Sequence, residues 1–462
     1  MTTQLLIVAV YFMITVAVGI HAKKRGDSSS SFHGAGLGVI MCVAAGTGEW
    51  LGGTSTTGVS EYGFLYGISG AWYTIANGIG VMVLALLFAK LYRSHDTITV
   101  PGIIEKYLGV DARVVSSILL TFVMLAVGTS QLIAAGTLGV AVLGVEYNIS
   151  VIILGIGFIT YTLAGGMNAI VHTNIMHFIA MYGGMILVLF LIGGEIGSIE
   201  VFKSSLPDAS YYNWFSIGKP KVASWIIASV LGACTAQAGI QPILAAKDVN
   251  VAKKSAIITA LVVAPFGIIT AILGMMARVQ FPELTNAKLA LPTLMMSLNP
   301  VVGGIVLASI LAAILSTVSP IILAAGTMIT KDIYQRVLKP DAADKDVLFV
   351  SKAVTGLAGV ISIILAVLFY GSTRILDIVY FAYTIRGSLF VVLLFGIYWR
   401  KTTAIGAIRA MILTTCVGLF WVVYRAITGE FPIHPDLNET YASIVVAVLS
   451  TVTFSLCSSK NK

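Results

Sequence analysis

The chain has 462 residues, 58% of them hydrophobic and only 10% charged. Soluble domains carry about 25% charged residues, so the composition excludes a soluble globular protein and points to a polytopic membrane protein. The formal net charge of +8 does not indicate a nucleic-acid partner, because no solvent-exposed basic domain exists to carry it; excess Lys and Arg in a membrane protein belong to cytoplasmic loops.

Apolar stretches of about twenty residues, the length that crosses a bilayer, predict thirteen spans, at 5–21, 37–60 (broken), 71–92, 114–142, 149–165, 172–193, 223–246, 255–277, 300–330, 349–370, 376–398, 402–425 and 440–457. The first has no basic region before it and no small-residue cleavage site, so it reads as a retained span and not a signal peptide. The connections are short, which leaves no room for an accessory domain, a nucleotide-binding loop or a soluble enzyme module. Cys42, Cys234, Cys416 and Cys457 all fall in apolar runs without metal-ligand spacing, as expected of small packing residues.

The second stretch organises the rest. Between Gly36 and Gly63 its apolar start is interrupted by Gly46, Gly48, Gly52 and Gly53, each weakening a helix by roughly 1 kcal/mol relative to Ala. Glu49 sits in the interruption, where a charge costs at least about 2.5 kcal/mol by insertion scales. Open backbone and a carboxylate at membrane depth are tolerated where they line a polar cavity. The alternative is a loop between two short interfacial helices.

The span at 223–246 is interrupted in the same way by Gly232, Gly239 and Pro242. It follows the first break by five spans, and the two longest spans, 114–142 and 300–330, have a similar offset. Five is odd, so the second copy enters the membrane from the opposite side. Paired interrupted helices in an inverted repeat point to the binding site of a secondary transporter. The loops and span ends at 23–25, 90–113, 247–254, 331–352, 400–401 and 460–462 hold nineteen Lys and Arg, against seven at 203–221, 278–288, 374 and 425. The excess predicts an outside N-terminus and a cytoplasmic C-terminus.

On the ninth span Ser316 and Thr317 are adjacent hydroxyls with Pro320 four residues after Ser316. Proline has no N–H, so the Ser316 carbonyl loses its helical partner. Two hydroxyls and a freed carbonyl, with unwound carbonyls near Ala44 to Thr47 and the Thr47 hydroxyl, make the cage of neutral oxygens that suits sodium. Alternatively, Ser316 and Thr317 bond back to carbonyls one turn earlier.

At these residues the chain resembles the sodium:solute symporter family. The resemblance covers almost the whole chain and is carried by 312–317 (Ala-Ala-Ile-Leu-Ser-Thr), 330–334 (Thr-Lys-Asp-Ile-Tyr), 161–170, Gln241 with 244–248, and 396–403. It implies an all-α, leucine-transporter-like fold with a five-plus-five inverted repeat, one extra span before it and two after. The implied organisation is an N-terminal span and cytoplasmic loop (1–36), a transport core (37–398, with repeats at about 37–193 and 223–398) and two C-terminal spans (399–462). The family's sodium site maps onto Ala44, Thr47, Ala313, Ser316 and Thr317, with Ala44 and Ala313 as carbonyl donors. Two regions depart from relatives. Asn174 stands where many carry an aspartate, which argues against a second, acidic cation site. Gly239, Ile240 and Pro242 stand around Gln241 in place of aromatic residues and an Arg, which argues against a sugar-stacking pocket.

Glu49 and Arg386 are charges stranded in spans. Glu49 can cap the second half of its broken helix, and Arg386 can snorkel. The functional alternative is that both face the central cavity, pair with each other when empty, and take opposite ends of a zwitterion or carboxylate when loaded. Trp50, Ser130, Gln131, Thr235, Gln237 and Gln241 are further candidate lining residues. The expected function is sodium-coupled symport of a small organic solute, amino acid or carboxylate-like, by alternating access in the plasma membrane. The alternative is a proton-coupled carrier using Glu49. No cofactor beyond the coupling ion and no enzymatic cluster is expected, a sensor would lack its soluble domain, and oligomeric state stays open.

Overall fold

The computed structural model describes residues 2–23, 36–95 and 97–459; Lys24, Arg25, Lys460 and Lys462, counted above, lie outside them. The chain is helical, with no strand longer than a single bridge, Leu37 to Ala246, among the described residues. α1 (Thr2–Lys23) precedes the first interrupted element, α2 (Val39–Trp50). Leu51 leaves helical geometry (φ −113°, ψ 65°), and helix resumes through a π turn at Thr54–Gly58 into α3 (Val59–Tyr66). A tight turn at Gly67, whose φ of 72° favours glycine, leads to α4 (Trp72–Val83) and α5 (Ala89–Ser94). A short α6 (Val100–Leu108) runs into α7 (Val110–Leu143). α8 (Tyr147–Ile196) is bent at Gly166, φ 56°.

The second interrupted element is α9 (Lys219–Ala233) followed by α10 (Gln237–Leu244), with Ala236 extended between them (φ −72°, ψ 90°). Then come α11 (Val249–Gln280), α12 (Pro300–Met328, continued by a π-helical segment Ile329–Leu338), α13 (Asp344–Phe369), α14 (Ile375–Tyr398), α15 (Ala404–Thr428) and α16 (Glu439–Ser459).

Eleven helical runs among the described residues are long and apolar enough to cross a membrane, against thirteen expected. The difference lies at the start of the chain. The apolar part of α1, Thr3–Gly19, and α2 itself fall short of spanning length, and Thr54–Ser94 forms one 41-residue run. At 1.5 Å per residue that run is about 60 Å long, twice a bilayer core, and it is broken at Gly67. From Val306 to Met328 every residue of α12 is buried, the signature of a helix apolar on all sides. It packs on α8, α7, α1, α13 and α2. α12 is therefore the post against which the broken α2 is laid.

Candidate functional site

Lipid tails are as apolar as leucine, so membrane helices associate closely where small residues admit the partner backbone. Gly48 and Gly52 do this at the end of α2. A methyl group at Gly48 would stand 2.6 Å from the Ser316 carbonyl oxygen, and one at Gly52 would stand 2.3 Å from Thr317 Oγ1 and 2.5 Å from Gln131 Oε1. Without them, Thr317 donates its hydroxyl across the interface to the Gly48 carbonyl. Ser316 takes the local option, donating to Ala313 O at 2.8 Å.

The carbonyl freed by Pro320 is not left bare. Asn174 on α8 donates its amide to Ser316 O (3.3 Å) and to Ala44 O (3.5 Å). Both partners are carbonyl oxygens, so the amide orientation follows from the network. Ala44, Thr47, Ser316 and Thr317 are all buried, and Thr47 Oγ1 has no hydrogen-bond partner. Through Asn174 and Gly48 the stretches around Ala44 and around Ser316 and Thr317, distant in sequence, thus meet at one interface. The oxygens there are neutral, which suits a monovalent cation. No group of three His, Cys, Asp or Glu side chains among the described residues could hold another metal.

One residue beyond Gly48, Glu49 meets Arg386 of α14 with Oε1 3.2 Å from Nη2, both side chains essentially excluded from solvent. The pair is incompletely satisfied: Glu49 Oε2 and Arg386 Nε and Nη1 are buried without hydrogen-bond partners. The Arg386 guanidinium lies 5.0 Å from the ring centre of Tyr383, which meets Trp50 edge-on at 6.2 Å. Thr235, in the gap between α9 and α10, donates to the Arg386 carbonyl at 2.7 Å. Gly239 lies against Glu49 and Trp50, where a methyl would come within 3.1 to 3.3 Å. Both helix breaks therefore converge on this ion pair.

Not every candidate gathers there. Gln131 donates to Thr54 Oγ1 at 2.5 Å and leaves Oε1 unpartnered beside Gly52, so it faces the first break. Ser130 also meets Thr54, at 3.4 Å. Gln237 is used elsewhere. Its Oε1 accepts from Val100 N at 2.7 Å and its Nε2 donates to Ile98 O at 3.0 Å, which pins the start of α10 to the start of α6. Gln241 is buried one turn further along α10. A chain of aromatic residues leads away from the pair. Tyr73 and Tyr383 stack and join hydroxyls at 3.3 Å, and Trp225 stacks on Tyr380 at 4.4 Å. The i, i+3 pair Tyr380 and Tyr383 on one apolar span was the available signal.

Both ends of the bundle are closed by charge networks. At one end Arg113 joins Asp332 (2.6 Å) and Glu105 (2.5 Å), and Arg336 joins Glu105 (2.6 Å), so α6 and α7 are clamped to the segment after α12. At the other end Tyr62 donates to Asp377 (2.8 Å) and accepts from Lys221 (3.1 Å).

The family model described as the sodium:solute symporter family matches residues 32–414. The chain belongs to the sodium:solute symporter family. It is 23% identical to the osmoregulated proline transporter OpuE of Bacillus subtilis, over 96% of this chain and 94% of that one. To the sodium/glucose cotransporter of Vibrio parahaemolyticus it is also 23% identical, over 97% and 90%. A solved Na+-coupled sialic acid symporter superposes with a TM-score of 0.81 over 98% of each chain at 17% identity, a likeness of fold. This family member is thus a multi-pass membrane transporter and not an enzyme, and its membership supports sodium-coupled uptake of a small solute.

Proposed function

We propose that the protein is a sodium symporter for a small zwitterionic or carboxylate solute, working by alternating access in the plasma membrane with its N-terminus outside. One observation carries the solute class: the buried Glu49–Arg386 pair presents unused hydrogen-bonding atoms on both members. Leaving a buried donor or acceptor unmade costs about 1–3 kcal/mol, more for charged groups. An amino acid supplies what is lacking at each end, a carboxylate for the guanidinium fork and an ammonium for Glu49. Trp50 and Tyr383 would line the same space, and Gln131 would face it from the first break. The core would comprise 37–398, with repeats at about 37–193 and 223–398.

Sodium would sit among Ala44 O, Ala313 O, Ser316 Oγ, Thr317 Oγ1 and the Thr47 oxygens, bridging α2 and α12. An ion there favours the state in which the broken helix is seated on α12. That state also positions Glu49, the next residue after Gly48. Each ligand thereby favours the other's binding state, a reciprocal coupling of about 1–3 kcal/mol in typical cases.

The test is uptake into proteoliposomes of purified protein, with L-proline as the first solute and the other amino acids and short carboxylates after it. Accumulation driven by an inward sodium gradient is expected. Accumulation driven by a proton gradient without sodium would replace this reading with the Glu49 proton carrier.

A further inference from the structure

Apart from the site described above, the bundle holds a groove of about 410 Å³ between α1, α8 and α12. Its walls are apolar, with Val10 and Ile14 from α1, Ile179, Gly183 and Leu187 from α8, and Ile305 from α12. Glycines build it. Near one end of α1, a methyl on Gly304 of α12 would stand 2.8 Å from the Ile7 side chain. Near the other end, a methyl on Gly19 of α1 would stand 2.9 Å from the Tyr161 ring. Gly184 lets α8 close on α12, since a methyl there would run into Ser309 Oγ. Gly183 differs: a methyl there meets nothing within 4 Å. α1 is therefore seated near both ends, α8 and α12 touch, and a trough is left open over Gly183.

Surroundings and walls together define the occupant. Val10, Ile14, Ile179, Leu187 and Ile305 are all exposed, so the groove is continuous with the surface that a multi-pass membrane protein turns to lipid. A buried water needs about three polar partners, and both polar side chains on the wall are engaged. The Tyr11 hydroxyl meets His177 Nδ1 at 2.7 Å, and Ser309 Oγ donates to the Ile305 carbonyl at 3.4 Å. Neither water nor a polar headgroup therefore suits the trough. From Ile179 to Leu187 it follows α8 for about 12 Å, most of one leaflet's share of a hydrocarbon core about 30 Å thick. Apolar cavities of about 150 Å³ hold one benzene ring, so this larger volume takes a stretch of alkyl chain.

We propose that the groove is a binding site for one acyl chain of a membrane phospholipid, which braces α8 against α12. Lipid tails are as apolar as these walls, so the preference comes from van der Waals contact with helices on three sides. Asn174, which bridges the Ala44 and Ser316 carbonyls, lies five residues before Ile179 on α8, and Ser316 lies seven residues after Ser309 on α12. The chain therefore holds together the two helices that support α2. The identity of the solute and of the coupling ion has no part in this inference.

The full-length protein is reconstituted in dioleoylphosphatidylcholine vesicles containing a trace of phosphatidylcholine with a diazirine in mid-chain. After irradiation, insertion is mapped by peptide mass spectrometry. Insertion at Val10, Ile179 and Ile305 is expected to exceed several-fold that at Ile156, Leu357 and Val360, comparably exposed residues outside the groove. Gly183→Leu puts a side chain into open space and should bring the groove positions down to the level of the others. Equal insertion at all these positions in the wild type overturns the site, because ordinary boundary lipid explains it, and that comparison needs no variant. Groove insertion that persists in Gly183→Leu overturns it too. So does a photoreactive sterol that concentrates in the groove where the phospholipid does not. The brace is read in detergent. Stripping phospholipid should lower the wild-type Tm and adding dioleoylphosphatidylcholine should restore it, whereas Gly183→Leu, filled by its own side chain, should respond to neither. Equal responses in both proteins overturn the brace.

Discussion

Ser316 and Thr317 are neighbours with different tasks. Ser316 bonds within its own helix, to Ala313 O, whereas Thr317 reaches across to the Gly48 carbonyl. Thr317→Ala removes an interhelical bond as well as a proposed ion ligand, so it should be the more damaging. A buried hydrogen bond contributes about 0.5–1.5 kcal/mol, so the sodium concentration for half-maximal uptake should rise several-fold in Ser316→Ala and more in Thr317→Ala. Unchanged sodium dependence in both would remove the site. For Arg386, substitution by Ala should abolish carboxylate transport. Lys should rescue it poorly, because an ammonium cannot reproduce the planar bidentate fork. Competition between a carboxylate and its amide analogue separates this role from a structural one, since a merely structural role would lose both.

At the scale of elements, the interface between α2 and α12 depends on absent side chains. Gly48→Ala puts a methyl 2.6 Å from a backbone oxygen that α12 cannot withdraw, since α12 is buried throughout its middle. The variant is expected to insert but to lose sodium-dependent stabilisation. Bound sodium should raise the stability of the solubilised wild type by RT ln(1 + [Na+]/Kd), about 2.7 kcal/mol at a hundred times Kd, and a thermal-shift comparison of sodium with choline reads it. Asn174→Leu strands the Ser316 carbonyl that Pro320 has already deprived of its helical donor. A loss of about 1–3 kcal/mol should appear in the same assay even without sodium.

For the whole molecule, transport requires that each charged closure open in turn. The closure at the Arg113 end hangs on Glu105, which bonds Arg336 and Arg113 at once. Its hydrogen bonds with Arg336, followed by those with Arg113, hold its carboxyl below the ordinary carboxylate range. A depressed folded-state pKa means that the contribution is present above the unfolded value and lost as pH falls through the folded one. The Glu105 contribution to this closure should therefore be insensitive to pH from neutrality down to the ordinary carboxylate range and be lost only below it. Glu105→Gln should open that end at neutral pH, measured as faster labelling of cysteines placed behind it.

The amino-acid sequence by itself determined the membrane class, the two interrupted helices, the hydroxyl pair before Pro320 and the two stranded charges. All of these are local: backbone hydrogen bonding, the cost of charge in lipid and the missing N–H of proline act within a few residues of their source. Only the tertiary structure decided which polar groups meet. Gln237, which looks like Gln131 in sequence, is spent on α6, and Asn174 bridges two carbonyls that lie 130 and 142 residues away. The groove beside α1 likewise joins Val10 to Ile305. Such meetings depend on how closely whole helices approach, and that is set by packing over the length of each interface.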